Sequence, residues 1–163
     1  MNKKGGVPDG IFYIVAIFTL AIVSIVGYMT LSNINEEFQT TSGISTQGKN
    51  LIDGLTNKYV GIIDASFLMV FVGVLIGTVA GVWFIRVHPA LFWIMIPIFA
   101  FIIFLSAIYA NVFWNFSQNA NIIDNASEFT IISFVLKNYA YVITGVVILI
   151  SLALFAKGRG EMI

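Results

Sequence analysis

Four long apolar runs, separated by polar segments, set the pattern of this chain. The first run, 11–31, contains no charged residue. As a helix rising about 1.5 Å per residue, it matches the hydrocarbon thickness of a bilayer. The other runs cover about 65–85, 90–114 and 138–156. The pattern predicts an all-α integral membrane bundle of four transmembrane helices, which forms a single membrane domain over residues 1–163.

The polar segments 32–60 and 115–130 are predicted as outer loops. Part of the first segment has apolar residues at roughly helical spacing, which suits either a short amphipathic helix on the membrane surface or a loop that leads into the second span. The stretch 129–136 is predicted as a helical extension outside the bilayer, with Lys137 reaching the headgroups. The turn at 86–89 is short, so the second and third spans are expected to form a hairpin.

The distribution of charge predicts that both termini lie on the inner side of the membrane. The two ends of the chain and the 86–89 turn carry five basic and two acidic residues. The two longer polar segments, with the adjoining ends of the spans, carry three basic and six acidic residues. Basic residues are retained on the inner side of membranes. Trp and Tyr residues near both predicted interfaces fit an aromatic belt.

The composition supports a multi-pass membrane protein. Hydrophobic residues make up 59% of the chain and charged residues only 10%, whereas a soluble domain carries about 25% charged residues. The formal net charge is zero, so charge gives no indication of a nucleic-acid partner. The lipid bilayer is therefore the first predicted partner.

Residues with catalytic or metal-binding chemistry are sparse. The chain has no cysteine and one histidine, His88, which is too few for a pair of axial haem ligands. No His, Asp and Glu residues have the spacing of a metal site. Asp64 lies only at the mouth of the second run, while a coupled transporter usually keeps an acid near the midplane. We therefore expect no enzyme activity, no catalytic, metal or cofactor site, and no small-molecule substrate.

Three glycines in the second run form a candidate helix-packing surface. Gly73, Gly77 and Gly81 are four residues apart, which places them on one face of a helix. Such a glycine zipper lets another helix approach to backbone contact. That helix could belong to the chain itself or to another membrane-protein subunit. Asn111 and Asn138 are predicted to form interhelical hydrogen bonds, with a pore lining as the alternative.

By elimination, these features favour a non-enzymatic structural or assembly subunit of a larger membrane complex. A lipid-containing virion and an energy-transducing complex are both possible hosts. The first alternative is an oligomeric pore or holin-like channel former, although no span has a clear polar stripe. The second alternative is a carrier for an apolar substrate, which needs no buried charge.

Overall fold

A computed structural model of the protein describes residues 7–84 and 89–160, and the side chains of 12–81 and 93–155. Within these ranges the chain is helical apart from short connections, which confirms the predicted all-α class. The predicted turn at 86–89 lies mostly outside the described residues, as does His88. The six helices are α1 (Val7–Thr40), α2 (Thr46–Phe84), α3 (Pro89–Ser117), α4 (Ile123–Glu128), α5 (Thr130–Lys137) and α6 (Tyr139–Gly160).

The segment 32–60, predicted as an outer loop, is mostly helical. α1 continues to Thr40, well past the end of the first apolar run, and α2 begins at Thr46, well before the second run. Residues 32–40 contain neither Pro nor Gly, so the helix has no local reason to stop where the apolar run ends. The reversal between the helices includes Gly43 at φ 106°, a left-handed conformation that glycine adopts without strain.

Hydrogen bonds hold the polar ends of α1 and α2 together. We call residues 32–58 the polar stalk. Lys49 Nζ donates to the carbonyl oxygen of Gln39 at 2.7 Å, and Gln39 Nε2 donates to the carbonyl oxygen of Lys49 at 3.1 Å. About one helical turn closer to the bundle, Asn35 Nδ2 donates to Asp53 Oδ1 at 3.4 Å. The stalk is therefore an antiparallel helical hairpin.

The long helices form one bundle in which α6 lies between α2 and α3. α1 packs against α2, and α6 packs against both α2 and α3. Among the described residues, α2 and α3 make no extended contact with each other, which differs from the expected hairpin of adjacent helices. Large side chains fill the core, with Phe113, Phe129 and Tyr139 fully buried.

The outer surface of the bundle is apolar. Met69 and Trp93, for example, are 77% and 73% exposed. Within the described residues, three helices are long and apolar enough to cross a membrane, or four if α5 and α6 together count as one bent span. This arrangement fits a multi-pass membrane protein, because a bilayer would cover the exposed apolar side chains.

α5 departs most from the expected arrangement. The helix axis bends by 70° between α5 and α6. α5 packs against α2 at one side and α3 at the other, and it buries Ile132, Ser133, Val135 and Leu136. The stretch predicted as a helical extension is thus a helix, but it packs at one end of the bundle between α2 and α3. We call α5 in this position the crossbar.

Candidate functional site: a carboxylate clamp on α5

The most distinctive polar contact of the bundle joins α2 to the start of α5. Asp64 is only 7% exposed. Its Oδ2 accepts the backbone N–H of Ile131, and its Oδ1 accepts the backbone N–H of Ile132, both at 2.8 Å. We call these three residues the carboxylate clamp. Both carboxylate oxygens have a donor, so the charge is held in place by fixed hydrogen bonds.

The clamp supplies the hydrogen-bond acceptors that the residue before α5 does not provide. The first N–H groups of a helix have no partner within the helix, and a Ser, Thr, Asp or Asn just before the helix normally accepts one of them. That position in α5 is Phe129, which makes no capping bond through its side chain. Asp64 accepts the N–H groups that a local cap would take. A carboxylate at a helix N-terminus is also stabilised by the helix dipole.

Aromatic rings and a second polar contact surround the clamp. Phe129 is fully buried, and its ring meets the ring of Tyr28 edge-on with centroids 5.6 Å apart. Ser133 Oγ donates to the carbonyl oxygen of Ala126 at 2.8 Å, which ties α4 to α5. Asp64 is largely buried at this site, and a hydrogen bond to a charged group is stronger where little of the group is exposed.

The other end of α5 contacts α3, and the start of α6 just beyond it contacts α1. Lys137 Nζ lies 5.5 Å from the ring centroid of Trp114 in α3, a cation–π contact. The hydroxyl of the buried Tyr139 donates to the carbonyl oxygen of Ile14 in α1 at 3.4 Å. The crossbar is thus held by α2 at its start and by α3 at its end, while the first residue of α6 bonds to α1.

The two asparagines predicted to bond between helices bond locally instead. Asn138 Nδ2 donates to the carbonyl oxygen of Phe134 at 2.9 Å, at the C-terminus of α5. Asn111 Oδ1 accepts Nδ2 of Asn115 at 3.2 Å, one turn further along α3. Among the described residues neither amide bonds to another helix. The Asn138 side chain therefore bonds to a backbone carbonyl group at the C-terminal end of α5, where the bend interrupts the helix.

The glycine face of α2 is open among the described residues. A Cβ atom built on Gly73, Gly77 or Gly81 would meet no heavy atom within 4 Å, apart from the backbone of its own helix turn. The described part of the chain therefore does not cover this face. The intramolecular alternative for the glycine zipper has no support in the described residues, and packing against another subunit stays a prediction.

The close helix contact lies at a glycine that the sequence reasoning missed. A Cβ on Gly27 in α1 would lie 2.8 Å from the hydroxyl oxygen of Tyr59 in α2. Ala21 and Ser24 precede Gly27 at three-residue intervals, and both are buried. This run of small residues in α1 was the available signal for the α1–α2 contact.

The interior provides no free polar group for chemistry. Every buried side-chain nitrogen or oxygen in the described residues has a hydrogen-bond partner. Ser24, Thr56, Ser106 and Ser117 donate to carbonyl oxygens of their own helices. The same residues contain no group of three His, Cys, Asp or Glu side chains that could hold a metal ion. The buried polar groups thus serve the fold.

The chain matches no protein-family model, no curated protein and no solved structure. A functional assignment therefore depends on the open glycine face, the clamp and the filled core.

Proposed function

We propose that this protein is a non-enzymatic structural or assembly subunit of a larger membrane complex. The observation that carries the proposal is the open glycine face. Gly73 and Gly77 are exposed, and no other helix of the described chain covers them. In lipid, helices associate through close packing rather than through a hydrophobic driving force, and small residues permit that packing. A helix of a neighbouring subunit is the occupant that fits this face.

The carboxylate clamp supports a structural rather than a transport role. A proton- or cation-coupled transporter needs a carboxylate that exchanges its ligand. Both oxygens of Asp64 instead accept backbone N–H groups of α5. Releasing these bonds would leave the buried N–H of Ile132 and the half-buried N–H of Ile131 without an acceptor, which is costly. Asp64 is therefore suited to hold α5 across the end of the bundle.

The filled interior counts against the pore former. A water-filled path needs polar groups along its length. Phe113, Phe129 and Tyr139 are fully buried at the end of the bundle where α5 lies. The buried hydroxyls donate to backbone carbonyl oxygens, either in their own helix or, for Ser133 and Tyr139, in another helix. An oligomeric pore would need a polar stripe on an exposed face, whereas the exposed faces of the long helices are mainly apolar along the predicted spans.

One observation keeps the carrier of an apolar substrate as a second candidate. A cavity of about 110 Å³ lies among α1, α2, α3 and α6, with mostly apolar lining that includes Phe71, Phe99 and Ile143. Small-molecule pockets usually measure about 300–1,000 Å³. The cavity would have to widen before it held such a ligand, which ranks the carrier below the subunit.

Co-purification tests the subunit proposal directly. The full chain, carrying an affinity tag, is extracted from its native membrane in a mild detergent, and the bound proteins are quantified by mass spectrometry. We expect a stoichiometric set of membrane proteins. Gly77→Leu should lose this set, while Ala100→Leu, which enlarges an exposed residue of α3, should retain it. Recovery of the chain alone, or as a pure homo-oligomer, would contradict the proposal.

A further inference from the structure

A groove lies between α1 and α2 at the base of the polar stalk. Its volume is about 260 Å³. It occurs where both helices change from polar to apolar sequence, since Leu31 ends the first apolar run and the second run starts just after Asp64. The lining residues are Leu31, Leu55, Lys58, Tyr59, Ile62 and Ile63. The groove therefore spans the predicted boundary between headgroups and hydrocarbon.

The floor of the groove is rigid. The ring of Tyr59 stacks on the ring of Tyr28 with centroids 6.0 Å apart. Its hydroxyl lies 3.5 Å from the carbonyl oxygen of Ser24 and against Gly27, where no larger residue fits without a shift. The walls are apolar, and Leu55 and Ile62 are more than half exposed. The groove is thus preformed and open to an apolar ligand from the membrane side.

Lys58 is the only charged residue in the lining. Of the lysines with described side chains, Lys49 bonds to Gln39 and Lys137 lies over Trp114. Lys58 alone among those three makes no hydrogen bond, ion pair or cation–π contact within the described residues. No carboxylate lines the groove. The site therefore combines an apolar channel with one uncompensated positive charge at its rim.

We propose that this groove binds an anionic glycerophospholipid, with part of an acyl chain in the groove and the phosphate on Lys58. A volume just below the usual range for small-molecule pockets suits a segment of one acyl chain rather than a whole compact ligand. A lysine at a membrane boundary extends its ammonium group toward the headgroups, where it attracts anionic lipids. The lining has no acid to receive the ammonium of a zwitterionic headgroup, so an anionic headgroup fits better. This inference concerns a lipid ligand and does not depend on the proposed subunit role.

Native mass spectrometry of the purified full chain tests the lipid site. The protein is equilibrated in detergent with equal amounts of phosphatidylglycerol and phosphatidylcholine that have the same acyl chains. We expect phosphatidylglycerol to be retained about fivefold better, the effect of one lysine at a membrane surface. Lys58→Gln should remove this preference. Lys49→Gln, an equal charge change on the same helix, should retain it. Circular dichroism verifies that both variants keep their helices.

Three outcomes would overturn the proposal. The first is equal retention of the two lipids by the unmodified protein, which would mean that the groove recognises only the acyl chain and not the headgroup. The second is an unchanged preference in Lys58→Gln. The third is displacement of the bound lipid by glycerol phosphate at the same concentration, which would identify a simple anion site rather than a lipid site.

Discussion

The backbone nitrogen of Ile132 in α5 lies 2.8 Å from Oδ1 of Asp64 in α2, a residue 68 positions earlier in the chain. A helix of eight residues is marginal by itself in water, because nucleation costs more than so few hydrogen bonds return. α5 gains its N-terminal acceptor only when α2 is already beside it. The helix is therefore a product of the tertiary fold, and its stability should follow that of the α2–α5 contact.

Removal of the clamp should destabilise the protein strongly. Asp64→Ala leaves the buried N–H of Ile132 and the half-buried N–H of Ile131 without an acceptor, which should lower the free energy of unfolding by about 3 kcal/mol. Asp64→Asn keeps one acceptor oxygen and should lower the free energy of unfolding by a smaller amount. The measurement is denaturant unfolding in detergent, with hydrogen exchange at Ile131 and Ile132. Glu36→Ala, which removes an exposed acid of α1, is the control and should change stability by about 0.5 kcal/mol or less. Equal losses at positions 64 and 36 would refute the clamp.

Gly27, which lies against Tyr59, and Gly77, which lies in open space, should respond differently to substitution by Leu. Gly27→Leu places a side chain where the hydroxyl of Tyr59 already lies, so it should destabilise the isolated protein by about 1–3 kcal/mol. Gly77→Leu places the side chain in open space and should leave the isolated protein as stable as before. Thermal unfolding in detergent compares them. A large loss in Gly77→Leu would show that the chain itself covers the glycine face.

Impermeant labelling should place the stalk outside and the N-terminus inside. The chain has no cysteine, so a single cysteine can be introduced at Asn2 or at Ser45, which is exposed in the turn between α1 and α2. An impermeant maleimide added to intact cells should label position 45 and not position 2, because basic residues are retained inside. Labelling after lysis provides the control for reactivity. The reverse pattern would invert the topology.

The purified protein should not conduct ions. Its described interior has bonded hydroxyls and buried aromatic rings rather than a polar path, and a pore needs such a path. Planar bilayers that contain the full chain should therefore remain electrically silent, while a pore-forming peptide added to the same bilayers shows that currents are detectable. Reproducible unitary currents would make the pore former the leading function.

The long helices and the fold class could be predicted from the sequence because a charge-free run of about 20 residues is typical of a membrane-spanning helix. The stalk was harder to predict, since the polar residues 32–40 are compatible with both a helix and a loop, and Gly43, Gly48 and Gly54 favour a loop. The role of Asp64 depended on a partner far along the chain. Its only local sign was Phe129, an unsuitable cap, before the apolar stretch that became α5.

The glycine pattern shows a different limit of the sequence. Small residues at regular spacing indicate a face that another helix can approach closely, but they do not indicate which helix. Gly27 and Gly77 both satisfy this criterion. Only the fold shows that Tyr59 lies against the first and that nothing in the described chain lies against the second. Which helix lies against a glycine depends on the positions of the neighbouring helices in the fold, and a local sequence pattern does not determine those positions.

The length of α2 has a mechanical consequence. Its 39 residues extend about 58 Å, nearly twice the hydrocarbon thickness of a bilayer. The glycine face lies toward one end, the stalk at the other, and Asp64 between them. In a continuous helix, a neighbouring subunit that tilted the glycine end would swing the stalk in the opposite direction if the contact of Asp64 with α5 served as the pivot. A small displacement inside the membrane would thus become a larger one at the stalk tip.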